Sequence, residues 1–355
     1  MTSHDNQRSK IFFTVELLKW NKLYNNRQMP WKNEKNPYKI WISEIILQQT
    51  RVKQGMEYYK RFISAYPTIQ HIVDAKESNV FKLWEGLGYY SRCKNIIASA
   101  KYIVNELNGK FPETFEGILQ LKGVGNYTAS AIASFAYNHP HAVLDGNVFR
   151  VLSRFFGIHT PIDGKDKSIY NDLANELLQK KAPAIYNQAI MDFGATICTP
   201  KIPLCNICPL HKKCFAFLNS MVNTLPVKEK TITRKFRWLY YLLIEYNNKL
   251  YVRKRITNDI WQNLNEFVLI ETKKPASIRA LQNSLYFKHI FNSVDFTINS
   301  VSKIYKQQLT HQTITGQFIK IKIEKNILID DYRLISCQQI DLLPFPKFIT
   351  TYLKD

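Results

Sequence analysis

Between residue 10 and about residue 222, apolar side chains recur at three- and four-residue intervals, which predicts a helical region. Ile11, Val15, Leu18 and Leu23 form one such stripe, and Ile40–Thr50, Met56–Tyr66 and Asn95–Leu107 continue the pattern. Pro67, Gly109, Pro112 and Pro161 punctuate it. The pattern then changes. Asn223 to Arg237 is short of large apolar residues and carries Lys228, Lys230, Arg234, Lys235 and Arg237, so it reads as a basic linker, set at 223–236. Strands dominate beyond it. Trp238–Tyr246 and Lys249–Arg255 flank Asn247-Asn248 as a hairpin would. Phe267–Thr272 adds a strand, Gln317–Glu324 alternates clearly, and Ala276–Tyr286 and Lys347–Leu353 read as helices. The expected fold class is multidomain, an all-α region over 1–222 followed by a smaller α+β domain over 237–355.

At 355 residues, each of two domains can bury its own core. The formal charge of +21 and a pI near 9.6 point to a polyanion, most simply nucleic acid. Lysine enrichment from an AT-rich genome is the competing explanation, since Asn, Ile and Lys are all abundant. No apolar run reaches the ~18 residues of a membrane span, and the polar stretch Met1–Lys10 lacks a signal-peptide core. The chain therefore reads as cytoplasmic, where cysteines stay reduced and can hold metal.

Cys198, Cys205, Cys208 and Cys214 follow the spacing C-x6-C-x2-C-x5-C. Four thiolates so placed can enclose zinc or a [4Fe–4S] cluster, and a pair of disulfides is the remaining alternative. Cys93 and Cys337 read as ordinary thiols. Upstream, Leu121-Lys122-Gly123-Val124-Gly125-Asn126-Tyr127-Thr128-Ala129 places Gly123 and Gly125 at a tight turn before an alanine-rich helix. Backbone N–H groups left open there make a phosphate site. The pattern is that of a helix–hairpin–helix element, although an ordinary helical turn has the same form. Glu44 lies in the apolar run Ile40–Leu47, as a buried acid or a solvated surface one. Asp145 precedes a helix as either an N-cap or a functional carboxylate.

Taken together, Pro30-Trp31-Lys32, the run SEIILQQTRV from Ser43 to Val52, WEGLGYYSR from Trp84 to Arg92, LKGVGNYTA, LDGNVFRVLSR from Leu144 to Arg154 and the four cysteines resemble the helix–hairpin–helix DNA glycosylase superfamily. The similarity is closer to its MutY adenine glycosylases and runs over nearly the whole chain. The resemblance implies one [4Fe–4S] cluster on Cys198, Cys205, Cys208 and Cys214. It divides the helical region into a six-helix half at about 28–136 and a cluster-bearing half made of 1–27 with 137–222, and it makes the last domain Nudix-like. The implied reaction is hydrolysis of the N-glycosidic bond of adenine opposite 8-oxoguanine or guanine, initiating base-excision repair. Glu44 is implied as the acid at adenine N7 and Asp145 as the carboxylate stabilising an oxocarbenium ion. Asn147 is implied to hold the catalytic carboxylate or water.

Tyr127 stands where bifunctional relatives carry lysine, and a phenol forms no imine, so a monofunctional enzyme is implied. Trp31, Lys32 and Gln188 match adenine-pocket positions, with Lys32 standing where arginine is more usual. Gln48, Gln49 and Tyr89 match positions that fill the gap left by the extruded base or contact the base opposite. Tyr90 reads as core. Leu309-Thr310-His311 falls where many relatives have Phe-Ser-His, a loop that recognises 8-oxoguanine. No R-E-x-x-E-E box is found, so nucleotide pyrophosphate hydrolysis is not expected. The implied partner is double-stranded DNA bearing A:8-oxoguanine or A:G, bound by a monomer in the bacterial nucleoid, with no membrane. Two other readings remain. A thymine-mismatch glycosylase is disfavoured by the long second domain, and a non-catalytic iron–sulfur DNA-binding protein is disfavoured by Glu44 and Asp145.

Overall fold

The computed structural model describes residues 3–229, 233–292 and 294–355. Lys230, which falls in the expected linker, lies outside them. Contacts divide the chain into two compact units, Met1–Val73 with Ala98–Lys230, and Asp74–Ile97 with Thr231–Asp355. The segment 74–97, which by sequence belongs to the first helical half, therefore groups with the sheet.

The first unit takes α1 (Ser3–Tyr24), α2 (Pro37–Leu47), α3 (Val52–Ala65) and most of α4 (Ile69–Asp74), then the later part of α6 (Tyr90–Glu106). It continues through α7 (Phe115–Leu119), α8 (Asn126–Tyr137), α9 (Gly146–Phe156), α10 (Ser168–Leu177), α11 (Pro183–Thr196) and α12 (Phe215–Leu218). The stripe expected on α1 is corrected: Ile11, Val15 and Leu23 are exposed, and Phe13, Leu17 and Trp20 are buried instead. Both sets have helical spacing, but the second carries two aromatic rings, which bury more area. Phe13 meets Phe155, and Trp20 sits edge-on to Phe193, so α1 closes over α9 and α11. Helix α2 stops at Leu47, short of the expected Thr50, because Gln48 turns out of the helix and Gln49 adopts a φ of 55°.

The second unit holds α5 (Glu77–Trp84), the start of α6 (Tyr90–Glu106) and a mixed seven-stranded sheet. Its strands are β1 (Lys235–Tyr246), β2 (Lys249–Lys254), β3 (Asn265–Thr272), β4 (Phe296–Val301), β5 (Tyr305–Gln308), β6 (Gln312–Ile323) and β7 (Arg333–Ser336). The order is β4-β6-β1-β3-β2-β7, with β5 also on β6. β1 and β6 run parallel, while the other pairs are antiparallel. Asn247 and Asn248 have φ of 47° and 58° between β1 and β2, as the expected two-residue hairpin requires.

The helix expected over 276–286 is instead two, α13 (Ile278–Gln282) and α14 (Leu285–Ile290), because Ser284 ends one and caps the next by accepting from the Phe287 amide. They cover one sheet face through Leu281, Phe287 and Ile290. After α15 (Cys337–Ile340), α16 (Lys347–Lys354) covers the other face, with Phe348 against Tyr241, Trp261 and Phe318. Among the described residues, no helix is long and apolar enough to cross a membrane.

Candidate active site

The first unit contains a cavity of about 630 Å³ whose lining includes Glu44, Tyr127, Asp145, Asn147, Trp31, Lys32, Gln48, Gln49 and Gln188. Nine positions widely spaced in sequence thus share one wall. Helix α2 begins with Pro37 at its first position and Asn36 as cap, the Asn36 side chain accepting from the amides of Tyr38 and Lys39. Ile40, Trp41, Ile42, Ile45 and Ile46 are all buried, so nearly every face of α2 is covered and Glu44 is 5 % exposed. Tyr127, in the first turn of α8, donates to Glu44 Oε2 at 2.8 Å. Burial, with the Asp145 charge adding to it and the Tyr127 hydrogen bond opposing it, pushes the Glu44 carboxyl up to about 7.

Asp145 is the N-cap of α9. Its Oδ1 accepts from the amides of Asn147 and Val148 at 2.8 and 2.7 Å, and its Oδ2 accepts from Asn147 Nδ2 at 2.7 Å. Burial raises its pKa, while these three hydrogen bonds and nearby Arg150 favour the charged form. Two acids on one cavity are therefore treated differently, Glu44 with one hydrogen bond and Asp145 with three.

Arg150, one turn into α9, donates to Asn147 Oδ1 at 2.8 Å, to the Gly146 and Gly194 carbonyls, and to the Cys198 carbonyl at 2.7 Å. It ties the Asp145 cap to the first cysteine. Arg154, a turn later, donates to the carbonyls of Thr199, Pro200 and Leu225 and lies 3.5 Å from Cys198 Sγ. Cys198, Cys205, Cys208 and Cys214 are unbridged thiols. Three of them pack on the core beneath α9 and α11. Burial pushes Cys208 up to about 12, with the other three thiols adding to it. Among the described residues, no group of three or more His, Cys, Asp and Glu side chains is gathered so as to hold a single metal ion.

Sequence reasoning missed the buried anion behind Lys32 and Gln188. Asp192 on α11 is fully buried and accepts from Arg27 Nη1 at 2.8 Å, Asn25 Nδ2 at 2.9 Å and Gln188 Nε2 at 3.0 Å. Lys32 Nζ lies 3.1 Å from its second oxygen and also donates to the Arg27 carbonyl at 2.7 Å. Lys32 therefore lines the cavity as a paired cation, and Trp31 is held edge-on to Tyr59 beside it. The signal was available: Asp192 is an acid inside an apolar helix, one turn after Gln188, as Glu44 is in α2. Gln48, half free of α2, donates to Thr128 Oγ1.

The hairpin glycines lie outside the cavity. Gly123 has a φ of 79°, and Gly125 caps α8 with no side-chain acceptor, so the first amides of that helix have no side-chain cap. The remaining residues are in the second unit. Leu309, Thr310 and His311 form the tip between β5 and β6, closed by the Leu309 amide donating to the Gln312 carbonyl. Tyr89 is exposed, with a φ of 48°, and its hydroxyl lies 2.5 Å from Thr310 Oγ1. Tyr90 is buried, as expected.

Residues 42–179 match the family described as HhH-GPD superfamily base excision DNA repair protein. The chain is 37 % identical over 308 residues to the adenine DNA glycosylase of Buchnera aphidicola subsp. Acyrthosiphon pisum (strain APS), covering 82 % of this chain and 87 % of that protein. It is 34 % identical over 362 aligned positions to the adenine DNA glycosylase of Buchnera aphidicola subsp. Baizongia pistaciae (strain Bp), covering 97 % of both. Among solved structures, a thermostable thymine-DNA glycosylase is similar with a TM-score of 0.57 at 27 % identity, over 60 % of this chain and 99 % of that one.

Two outcomes follow from the cavity. Between about pH 4.5 and 7 the folded Glu44 holds a proton that the unfolded chain has released, so the parent loses stability as pH rises through that window. Glu44→Gln should be the more stable form by on the order of 2–3 kcal/mol above pH 7, with the gap closing below pH 4.5, in denaturant titrations across pH. Asp192→Ala, which strands Arg27 and Lys32 without their shared anion, should cost about 3 kcal/mol in the same assay.

Proposed function

Because this chain belongs to the adenine DNA glycosylases of the helix–hairpin–helix superfamily, we propose that it hydrolyses the N-glycosidic bond of adenine opposite 8-oxoguanine or guanine, without cleaving the strand. It is a DNA glycosylase of base-excision repair. The observation that carries the finer reading is the pairing, on one cavity, of a Glu44 carboxyl pushed up to about 7 with an Asp145 carboxyl that accepts three hydrogen bonds.

The two carboxyls divide the reaction between them. Adenine leaves as a neutral base only if it is protonated, and Glu44, with its pKa lifted to about 7, retains a proton to give. The sugar becomes positive as the bond breaks, and Asp145, whose charged form is favoured by two amides and Asn147 against its burial, is the carboxylate that would offer it negative charge. Once the base is released, Glu44 is a carboxylate able to take a proton from the attacking water. Tyr127 orients Glu44 and has no amine, so no Schiff base forms on it. Arg27, Lys32, Gln188 and Trp31 form the pocket for the base, with Asp192 fixing the polar members.

For DNA, the amides at the start of α8 beyond Gly123 and Gly125 suit a phosphate, and the charge of +21 suits the duplex. In the second unit, we assign the reading of the opposite base to Tyr89 and the Leu309–His311 tip, with the Thr310 hydroxyl as the polar contact; the closeness of the two hydroxyls supports this. The mixed sheet with helices on both faces supports the Nudix-like reading.

Four thiols with Arg154 beside Cys198 Sγ fit a [4Fe–4S] cluster. Zinc at ~2.3 Å from each sulfur would need them gathered about one point, whereas a four-iron body spreads its ligands. When bound, the cluster supplies a rigid anchor for the 198–214 loop. Arg150 passes that order to Asn147 and the Asp145 cap through its hydrogen bonds. The thymine-DNA glycosylase is matched over 99 % of its length by 60 % of this chain, which leaves two fifths of this chain without a counterpart in it.

Single-turnover cleavage of duplexes carrying adenine opposite 8-oxoguanine, guanine, thymine or cytosine tests this reading. Strand breaks should need hot alkali, be confined to the first two duplexes, decline as pH rises through about 7, and fall by roughly 10²–10⁴ in Glu44→Gln. Breaks without alkali, or borohydride-trapped adducts, would refute the monofunctional mechanism. Iron analysis should give about four irons per chain, lost on Cys208→Ser, and stoichiometric zinc would sink the cluster.

A further inference from the structure

The turn that presents Tyr89 is a demanding piece of backbone. Helix α5 ends at Trp84, Glu85 is its C-cap, and Gly86, Gly88 and Tyr89 then have φ of 89°, 83° and 48°. Glycine adopts that region freely, but an aromatic residue is held there against a steric cost. The fixing contacts come from two directions. Trp84 Nε1 and Arg92 Nη2 both donate to the Gly88 carbonyl, and the Arg92 guanidinium lies between the Trp84 and Tyr89 rings. The second direction is the chain between α15 and α16.

That chain is gripped on both edges. On one, the Phe345 amide donates to Glu85 Oε1 at 2.9 Å, and Lys82 Nζ donates to the Leu343 carbonyl at 3.0 Å while lying 3.1 Å from Glu85 Oε2. On the other, the Asn265 amide and Nδ2 both donate to the Pro344 carbonyl, at 2.9 and 3.0 Å. Phe345 is buried and stacks on Phe267 of β3. From β3 the ladder passes to β1 and then to β6, which begins directly after His311. A ring of contacts therefore runs from Glu85 through the strap and the sheet to Thr310, and it closes at the Tyr89–Thr310 contact. Glu85 stands four residues before Tyr89.

We propose that the strap Leu343–Phe345, held by Lys82 and Glu85, is the device that registers Tyr89 against Thr310, and that Glu85 is a positioning residue for opposite-base preference. This rests on the reading above that Tyr89 and the Leu309–His311 tip meet the base opposite adenine. Without the Glu85 carboxylate, the strap no longer defines where α5 ends, and Tyr89 and Thr310 lose a fixed separation. Their shared selectivity then falls more than the chemistry at Glu44, whose supports are in the other unit.

The test uses the full-length, cluster-loaded protein and duplexes with a non-cleavable adenine analogue opposite 8-oxoguanine or guanine. The readouts are the ratio of the two affinities and the saturating single-turnover rate on the cleavable duplexes. Glu85→Ala should lower the affinity ratio about tenfold, with a smaller fall in the saturating rate. Glu85→Gln, which keeps an acceptor for the Phe345 amide, should restore most of the ratio. Lys82→Met, which removes the Leu343 contact and the Glu85 ion pair but keeps the Glu85 acceptor for the Phe345 amide, should lower the ratio less, and it serves as the reporter if Glu85→Ala does not fold. A parent ratio near one would defeat the opposite-base reading itself. A large parent ratio left intact by Glu85→Ala and Lys82→Met, or equal losses in ratio and saturating rate, would overturn the strap.

Discussion

Keeping water from a single carboxyl group shapes much of the helical unit. Glu44 is surrounded by Ile40, Trp41, Ile45 and Ile46, and the covering of α2 on nearly all sides keeps its proton in place near neutrality. A solvated glutamate on the same helix would ionise near the ordinary value and have nothing to give. The cost of such burial is offset locally, since Tyr127 reaches it from α8 and leaves one hydrogen bond rather than an ion pair. Asp145 takes the opposite treatment at the same cavity, where helix-capping amides replace the water it has lost. Two carboxyls on one cavity are thus given different surroundings by how many donors each one meets.

The polar groups around that pair form connected sets rather than isolated contacts. Asp192 gathers Arg27, Lys32, Asn25 and Gln188 on one wall, so the cations there are paired before any base arrives. Arg150 and Arg154 point the other way, into the cysteine loop, and most of their donors end on backbone carbonyls. Carbonyl acceptors fix the path of a chain, which side-chain partners do less firmly. The loop is therefore positioned by α9 as well as by whatever its thiols bind.

Much of this was legible in the sequence, for identifiable reasons. Motif residues such as Glu44, Tyr127 and Asp145 carry fixed roles in fixed spacing, and the Asn247-Asn248 hairpin follows from two residues that tolerate positive φ. The strand β6 showed itself by alternation. What escaped depends on partners remote in sequence. The α1 stripe was misjudged because two sets of apolar residues had equal spacing and only packing on α9 and α11 separates them. Asp192 was passed over because a lone acid in an apolar helix needs Arg27, some 165 residues away, to explain it. The short strands β4, β5 and β7 carry weak patterns, and the grouping of 74–97 with the sheet has no local signal at all.

That last grouping has a consequence for how the protein is made. Residues 74–97 leave the ribosome early, yet the strap and sheet that complete their unit are the final part of the chain. At ~5–20 residues per second, they wait on the order of tens of seconds for those partners. The parallel pairing of β1 with β6 imposes the same delay, since neither strand can register until some seventy intervening residues have been synthesised. Until the strap arrives, the Lys82–Leu343 and Glu85–Phe345 bonds cannot form, so the turn that carries Tyr89 is fixed only at the end of synthesis.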